Sequence, residues 1–165
     1  MPLRCTVQAQ YRTLLHRTLG DTGPSITWVL LNPSTADASN DDPTLRRVLG
    51  FSRRAHFATV TVANLFTFRA TQPRDLLAVL REGGDAIGPG ADHALTVAAT
   101  CDAIVMAWGR PANRTVSTRA DEVRKRLEAS GRPLFQLGLP LANGHPRHPL
   151  YAPYAAGLCP VNPHR

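Results

Sequence analysis

The sequence predicts an α/β domain built on a mainly parallel sheet. Short, predominantly apolar runs of strand length recur at 26–31, 58–63, 103–107 and 133–137, as buried parallel strands do. Between them lie segments with helix punctuation, and this strand–helix alternation is the pattern of parallel sheets with helices on their faces. The length, 165 residues, fits a single domain over 1–165, and 43% hydrophobic content supports a packed core.

Taken in order, residues 4–8 and 11–17 read as an N-terminal antiparallel ribbon, and the polar cluster at 20–25 as a turn. After the first buried strand, Asp42 is placed to cap a helix whose first residue is Pro43, running to Arg54 with Leu45, Val48, Leu49 and Phe51 inward. Helices follow the second strand near 73–81 and 90–100. After the third strand, Ser117 or Thr118 can cap a helix to about Ala129, which Gly131 stops. The region beyond the fourth strand is rich in Pro, Gly and His and shows no helix period. The expected architecture is three-layered: a four-stranded sheet in order 2-1-3-4, helices on both faces, and the added ribbon.

Charge narrows the partners. Nineteen basic residues against 12 acidic give +7, and all the basic residues except Lys125 are arginine. Guanidinium groups bind phosphate bidentately and stack on bases, so a nucleic acid or nucleotide partner is expected. Abundant Arg and Ala also read as the imprint of a GC-rich genome. No run reaches the roughly 18 apolar residues of a membrane span, and residues 1–20 lack a signal-peptide core. The three cysteines, Cys5, Cys101 and Cys159, include no CxxC pair, so neither a zinc ribbon nor a disulfide framework is indicated. A cytoplasmic monomer without metal or cofactor is the expectation.

In open α/β sheets, ligands bind beyond the carboxyl ends of the strands. The residues there are Asn32-Pro33-Ser34, Asn64-Leu65-Phe66, Trp108-Gly109-Arg110 and the segment His145-Pro146-Arg147-His148. Asparagine presents an acceptor–donor pair that matches a base edge, although Asn after a strand also serves turns; at Asn32 the following Pro33 removes a turn donor. His145 and His148 suit a general acid or a group that stabilises developing negative charge, and are less suited to metal because no third ligand stands at metal spacing. Ser34 lacks the GxSxG elbow of a hydrolase nucleophile, and no phosphate-binding GxxxxGK[ST] loop exists. Asp37, Asp41 and Asp42 form an acidic cluster after the first strand, of which one can orient a water or accept from an arginine, while helix capping accounts for Asp42 and local capping is the alternative for Asp37 and Asp41. Arg46, Arg47, Arg53, Arg54, Arg69 and Arg74 fall within thirty residues, either as phosphate contacts or as a solvated helix face. Trp108 reads as a core residue or as a base-stacking platform.

The segments Leu31-Asn32-Pro33-Ser34-Thr35-Ala36-Asp37, Asp41-Asp42-Pro43-Thr44, Asn64-Leu65-Phe66, Arg69-Ala70-Thr71, Ala107-Trp108-Gly109 and Gly144-His145-Pro146-Arg147-His148-Pro149-Leu150-Tyr151 resemble an uncharacterised bacterial and phage family catalogued as a domain of unknown function. More distantly, the order of motifs is similar to the uracil-DNA glycosylase superfamily. That resemblance implies a glycosylase-like fold and hydrolysis of the N-glycosidic bond of uracil or another modified base in DNA. It implies that Asn32 holds water and Asn64 reads the base edge, with Ser34 beside them and Phe66 or Trp108 stacking on the base. His145 or His148 stabilises the leaving base, Leu150 stands where those enzymes wedge into the duplex, and Arg46, Arg47, Arg69 and Arg147 meet phosphates. The chain departs from the pattern in lacking the water-activating Asp motif and in placing Arg147 and His148 where small residues stand. It also lacks the four cysteines of the iron–sulfur branches. The alternatives are a non-catalytic binder of nucleic acid or nucleotide, and an enzyme acting on free nucleotides.

Overall fold

The computed structural model describes residues 7–8, 10–37 and 39–161. The expected strand over 4–8 is seen only as β1 (Val7–Gln8), which pairs antiparallel with β2 (Tyr11–Arg12); its earlier residues and Cys5 lie outside the described residues. The expected second arm of the ribbon is divided. After Thr13 and Leu14 the chain re-enters extended backbone as β3 (Leu15–Thr18), which joins the main sheet instead of the ribbon.

That sheet has six strands in the order β3-β5-β4-β6-β7-β8. Its centre is β5 (Thr59–Asn64), β4 (Ser25–Leu30), β6 (Ala103–Met106) and β7 (Leu134–Leu137), all parallel, in the expected order. The sheet as a whole is mixed, which corrects the four-stranded expectation. Strand β3 adds antiparallel to β5, and β8 (Leu158–Pro160) adds antiparallel to β7. Both edges are short, and β8 ends in a proline, as edge strands that resist further pairing do.

Alternation along the strands divides the core. Ile26, Trp28, Leu30, Val60, Val62, Val105 and Leu137 face one side with α1 (Pro43–Arg54). Val29, Ala63, Ile104, Met106 and Leu134 face the other, where α2 (Pro73–Arg81), α3 (Ala91–Ala98) and α4 (Arg114–Ala129) pack. Helix α1 follows the expected pattern: the Asp42 carboxylate accepts from the Leu45 amide, Pro43 opens the helix, and Leu45, Val48, Leu49 and Ser52 repeat at helical spacing toward the sheet. Its Ser52 hydroxyl accepts from the Trp28 indole N–H at 3.0 Å, so that buried donor is satisfied. Helix α4 starts earlier than expected. Asn113, not Ser117 or Thr118, caps it by accepting from the Val116 amide at 2.9 Å. After β7 the chain forms two single-turn 3-10 helices, Pro149–Tyr151 and Tyr154–Ala156, before β8. Among the described residues no helix is long and apolar enough to cross a membrane.

Candidate functional site

Parallel strands end their hydrogen-bonded ladders on one rim, and the chain leaves them there in loops free to surround a ligand. Beyond β5, β4 and β6 lies a cavity of about 640 Å³, a volume within the ~300–1,000 Å³ of small-molecule sites. Leu30, Leu45, Val62 and Leu76 give it apolar walls, and Asn32, Ser34, Asp42, Trp108 and His148 bring polar groups into it.

The loop after β4 is fixed from both sides. The Ala70 amide donates to the Pro33 carbonyl, and the Asn32 side-chain nitrogen donates to the carbonyls of Pro33 and Ala70, each at 3.0 Å. Two carbonyl partners define that end of the Asn32 amide as the NH₂. The Asn32 Oδ1 is therefore left as an acceptor on a cavity-lining residue. Beside it the Ser34 hydroxyl donates to Asp42 Oδ2, which the Ala36 amide also approaches, while Asp42 Oδ1 caps α1. Asp42 is 8% exposed, and its acceptor sites face donors of its own chain.

His148 caps the 3-10 turn Pro149–Tyr151, with its Nδ1 accepting from the Leu150 amide at 3.2 Å. That bond puts the ring hydrogen of the neutral form on Nε2. Burial pushes the His148 pKa down to about 4, and the Asp42 carboxylate opposes the shift without overcoming it. Near neutral pH, His148 is thus an uncharged donor. Its approach to the rim depends on Gly109, which has φ +78° and where a Cβ would sit 3.1 Å from the His148 Cβ. Arg47 ties down the same turn. Its guanidinium donates to the carbonyls of Pro149 and Ala152 and lies 3.8 Å from the Tyr154 ring centroid.

His145 occupies a different position. The Trp108 indole N–H donates to its Nδ1 at 3.4 Å, and its Nε2 lies 3.5 Å from the Ser117 hydroxyl of α4. Burial lowers its pKa, the Asp121 carboxylate raises it and Arg124 lowers it. His145 supports Trp108, and it does not line the cavity. Trp108, 2% exposed, is a core residue that also lines the cavity.

The remaining sequence-predicted residues separate. Arg147 and Leu150 line the cavity, with the Arg147 Nε donating to the Leu139 carbonyl. Phe66 is 1% exposed in the core and lines a separate opening between α4 and the loop after α2. Asn64 is the last residue of β5, not the first beyond it, and pairs with Leu30. Its amide is buried, does not line the cavity, and has no hydrogen-bond partner among the described residues for either Oδ1 or Nδ2. Arg46 is exposed and donates to the Asp41 carbonyl, Arg69 is half-buried, and neither lines the cavity. Arg47 works as a clamp on the His148 turn and lies outside the lining. Asp41 accepts from Arg17 at 2.8 Å, and Asp37 accepts from the Ser39 and Asn40 amides, as capping or arginine-pairing carboxylates do. Among the described residues, no three His, Cys, Asp or Glu groups gather as metal ligands.

Sequence reasoning missed Arg12 and Tyr151 as lining residues, whereas Arg110 belongs to the strand-end segment already named. Tyr151 adjoins the Leu150 already singled out, so the signal was present. Arg12 comes from β2, far from the other motifs in sequence, and only the folded chain brings its guanidinium to the Ala36 carbonyl at the cavity.

Comparison with known proteins adds one finding. No curated protein and no solved structure matches the chain. A family model does match, over residues 12–150, a span that holds the described cavity-lining residues other than Tyr151. The chain therefore belongs to the family described as "Protein of unknown function (DUF1643)".

Proposed function

We propose that the cavity receives a nucleobase and that the chain hydrolyses the N-glycosidic bond of uracil or another modified base in DNA. One observation carries this reading: two residues that line the same largely apolar cavity supply a neutral histidine donor, His148 Nε2–H, and an oriented amide acceptor, Asn32 Oδ1. The motif order that resembles the uracil-DNA glycosylases agrees with it.

A base in a duplex must leave the stack to enter such a cavity. There the Trp108 face lies against it. Asn32 Oδ1 accepts from a water molecule and holds it against C1′ of the sugar. As the water oxygen bonds to C1′, the C1′–N bond breaks and its electron pair goes to the base. His148 Nε2–H donates to the base oxygen where that charge gathers, a role worth about 3 kcal/mol in comparable oxyanion sites. The proton lost by the water ends on the departed base. A neutral donor suits this step because it stabilises charge without giving up its proton, as a histidine held uncharged by burial does. Asn64, buried and outside the cavity lining, takes no part in this reading, and its unpartnered amide costs about 1–3 kcal/mol per group.

Base release from oligonucleotides containing uracil, hypoxanthine, xanthine or mismatched thymine, single- and double-stranded, tests the proposal. The expected result is release of one of these bases, cut by about 10²–10³ in His148→Asn and strongly reduced in Asn32→Ala. Undiminished release in both variants would falsify it.

A second reading has its own support. Among the described residues Asp42 is the one carboxylate lining the cavity, and it already accepts from Leu45, Ser34 and Ala36, so among them no lining carboxylate stands ready as a base for water. That favours a non-catalytic site for a nucleotide. Saturable nucleotide binding with no base released from any substrate would select it.

A further inference from the structure

Among the described residues the exposed large hydrophobic side chains are Leu139, Leu150 and Tyr151, and all belong to the loops that frame the cavity. Tyr151 is 81% exposed, and of the three it carries an aromatic ring. On a rigid backbone beside a cavity such a ring presents a face on which a base can stack. The backbone here is rigid. The Tyr151 amide donates to the His148 carbonyl, the Leu150 amide donates to His148 Nδ1, and Arg47 holds the flanking carbonyls of Pro149 and Ala152. Among the described residues the charged groups lining the cavity are the buried Arg12, the exposed Arg110, the half-buried Arg147 and Asp42, and the Asp42 oxygens are taken up internally. The surface is therefore a presented aromatic within a cationic border, complementary to phosphates that carry stacking bases.

We propose that Tyr151, which shares the cavity lining with Arg110 and Arg147, docks a single strand of nucleic acid, with a neighbouring base stacked on the Tyr151 ring while the target base lies in the cavity. This rests on the reading of the cavity as a nucleobase site. It adds the strandedness of the substrate. In a duplex both faces of each base are covered by its neighbours, whereas an unpaired strand offers a face to the ring without prior unstacking.

Tyr151 makes a clean test because it is exposed and its ring contact is with the His148 ring, centroids 5.8 Å apart. Fluorescence anisotropy would compare a labelled 12-nucleotide single strand of mixed sequence with the blunt duplex of that sequence, at low and moderate salt. The single strand should bind more tightly and in a salt-dependent manner. Tyr151→Ala should weaken it about tenfold, and Tyr151→Phe, which keeps the stacking face, should stay within about twofold of the native chain. Equal or tighter duplex binding, unchanged affinity in Tyr151→Ala, or no oligonucleotide binding would overturn the proposal. Nucleoside binding in the cavity beside a failure to bind oligonucleotides removes the docking surface and leaves the cavity reading. Tyr151-dependent binding of the single strand without any base release supports the surface and removes the catalytic reading.

Discussion

Replacing His148 with asparagine should flatten the dependence of folding stability on pH between neutrality and about pH 4.5. The His148 pKa falls from its ordinary value of 6.5 to about 4 in the folded chain because the ring is buried. Between those values the unfolded chain binds a proton that the folded chain refuses, so stability rises with pH across the window and is lost as pH falls through it. The separation corresponds to about 3 kcal/mol in full, of which about 2 kcal/mol is expressed between about pH 7 and pH 4.5. Asparagine keeps an acceptor for the Leu150 amide but does not titrate. His16 and His145, whose pKa values burial also lowers, act in the same direction but are present in both proteins, so the difference isolates His148. Asp37 and Asp102 are held below the usual carboxylate range by hydrogen bonds from Ser39 and Asn40 and from Ser25. Their contribution is present above the ordinary carboxylate pKa and is lost only at more acid pH. Urea unfolding followed by circular dichroism at several pH values gives the two curves. If native and His148→Asn proteins lose stability in parallel, the ring is not held neutral by burial and the reasoning fails.

Further outcomes follow from the same contacts. Asp42→Ala removes the α1 cap and the partner of the Ser34 hydroxyl, and thermal melting should show a loss of about 1–2 kcal/mol. Asp42→Asn removes the carboxylate that opposes the His148 shift, so the His148 titration followed by NMR should move still lower. Gly50→Ala places a methyl group onto the Tyr154 hydroxyl and should displace that ring from between Arg47 and Arg54, costing about 1–3 kcal/mol in a urea titration. Ser52→Ala leaves the buried Trp28 indole N–H without its acceptor and should cost about 1–3 kcal/mol by the same method.

What the sequence disclosed depended on where each element sits. The four central strands are buried on both faces, so they appear as predominantly apolar runs and their order follows from parallel crossovers. Helix α1 was legible because its cap, its first proline and its apolar spacing agree. The edge strands were not. Leu15–Thr18 carries His and Arg among its four residues, and its partner β5 lies some forty residues on; Leu158–Pro160 is three residues long and lies in a proline-rich segment. Their strand character comes from pairing, which no local pattern records. At α4, Asn113 and Ser117 are both good caps in isolation, and the extra turn packed through Val116 selects the earlier one.

The candidate site divides in the same way. The rule that ligands gather beyond parallel strand ends placed Asn32, Trp108 and the His148 segment together, and these residues line one cavity. It could not separate His145 from His148, three residues apart, because their difference lies in tertiary contacts: one supports Trp108 and the other borders the cavity. Arg47 illustrates the converse. An arginine on a helix reads as a phosphate contact, yet its fork is spent on two carbonyls and an aromatic face that only the fold brings to it.

The chain has two tryptophans, and this makes the central claim directly measurable. Trp108 borders the cavity, while Trp28 is fully buried, bonded to Ser52, and outside the lining. Their indole N–H signals in a ¹H–¹⁵N NMR spectrum report the two locations separately. Titration with nucleosides and their free bases should move the Trp108 signal saturably and leave Trp28 in place. If no nucleoside or base moves the Trp108 signal, or if both signals drift together without saturation, the cavity is not a nucleobase site.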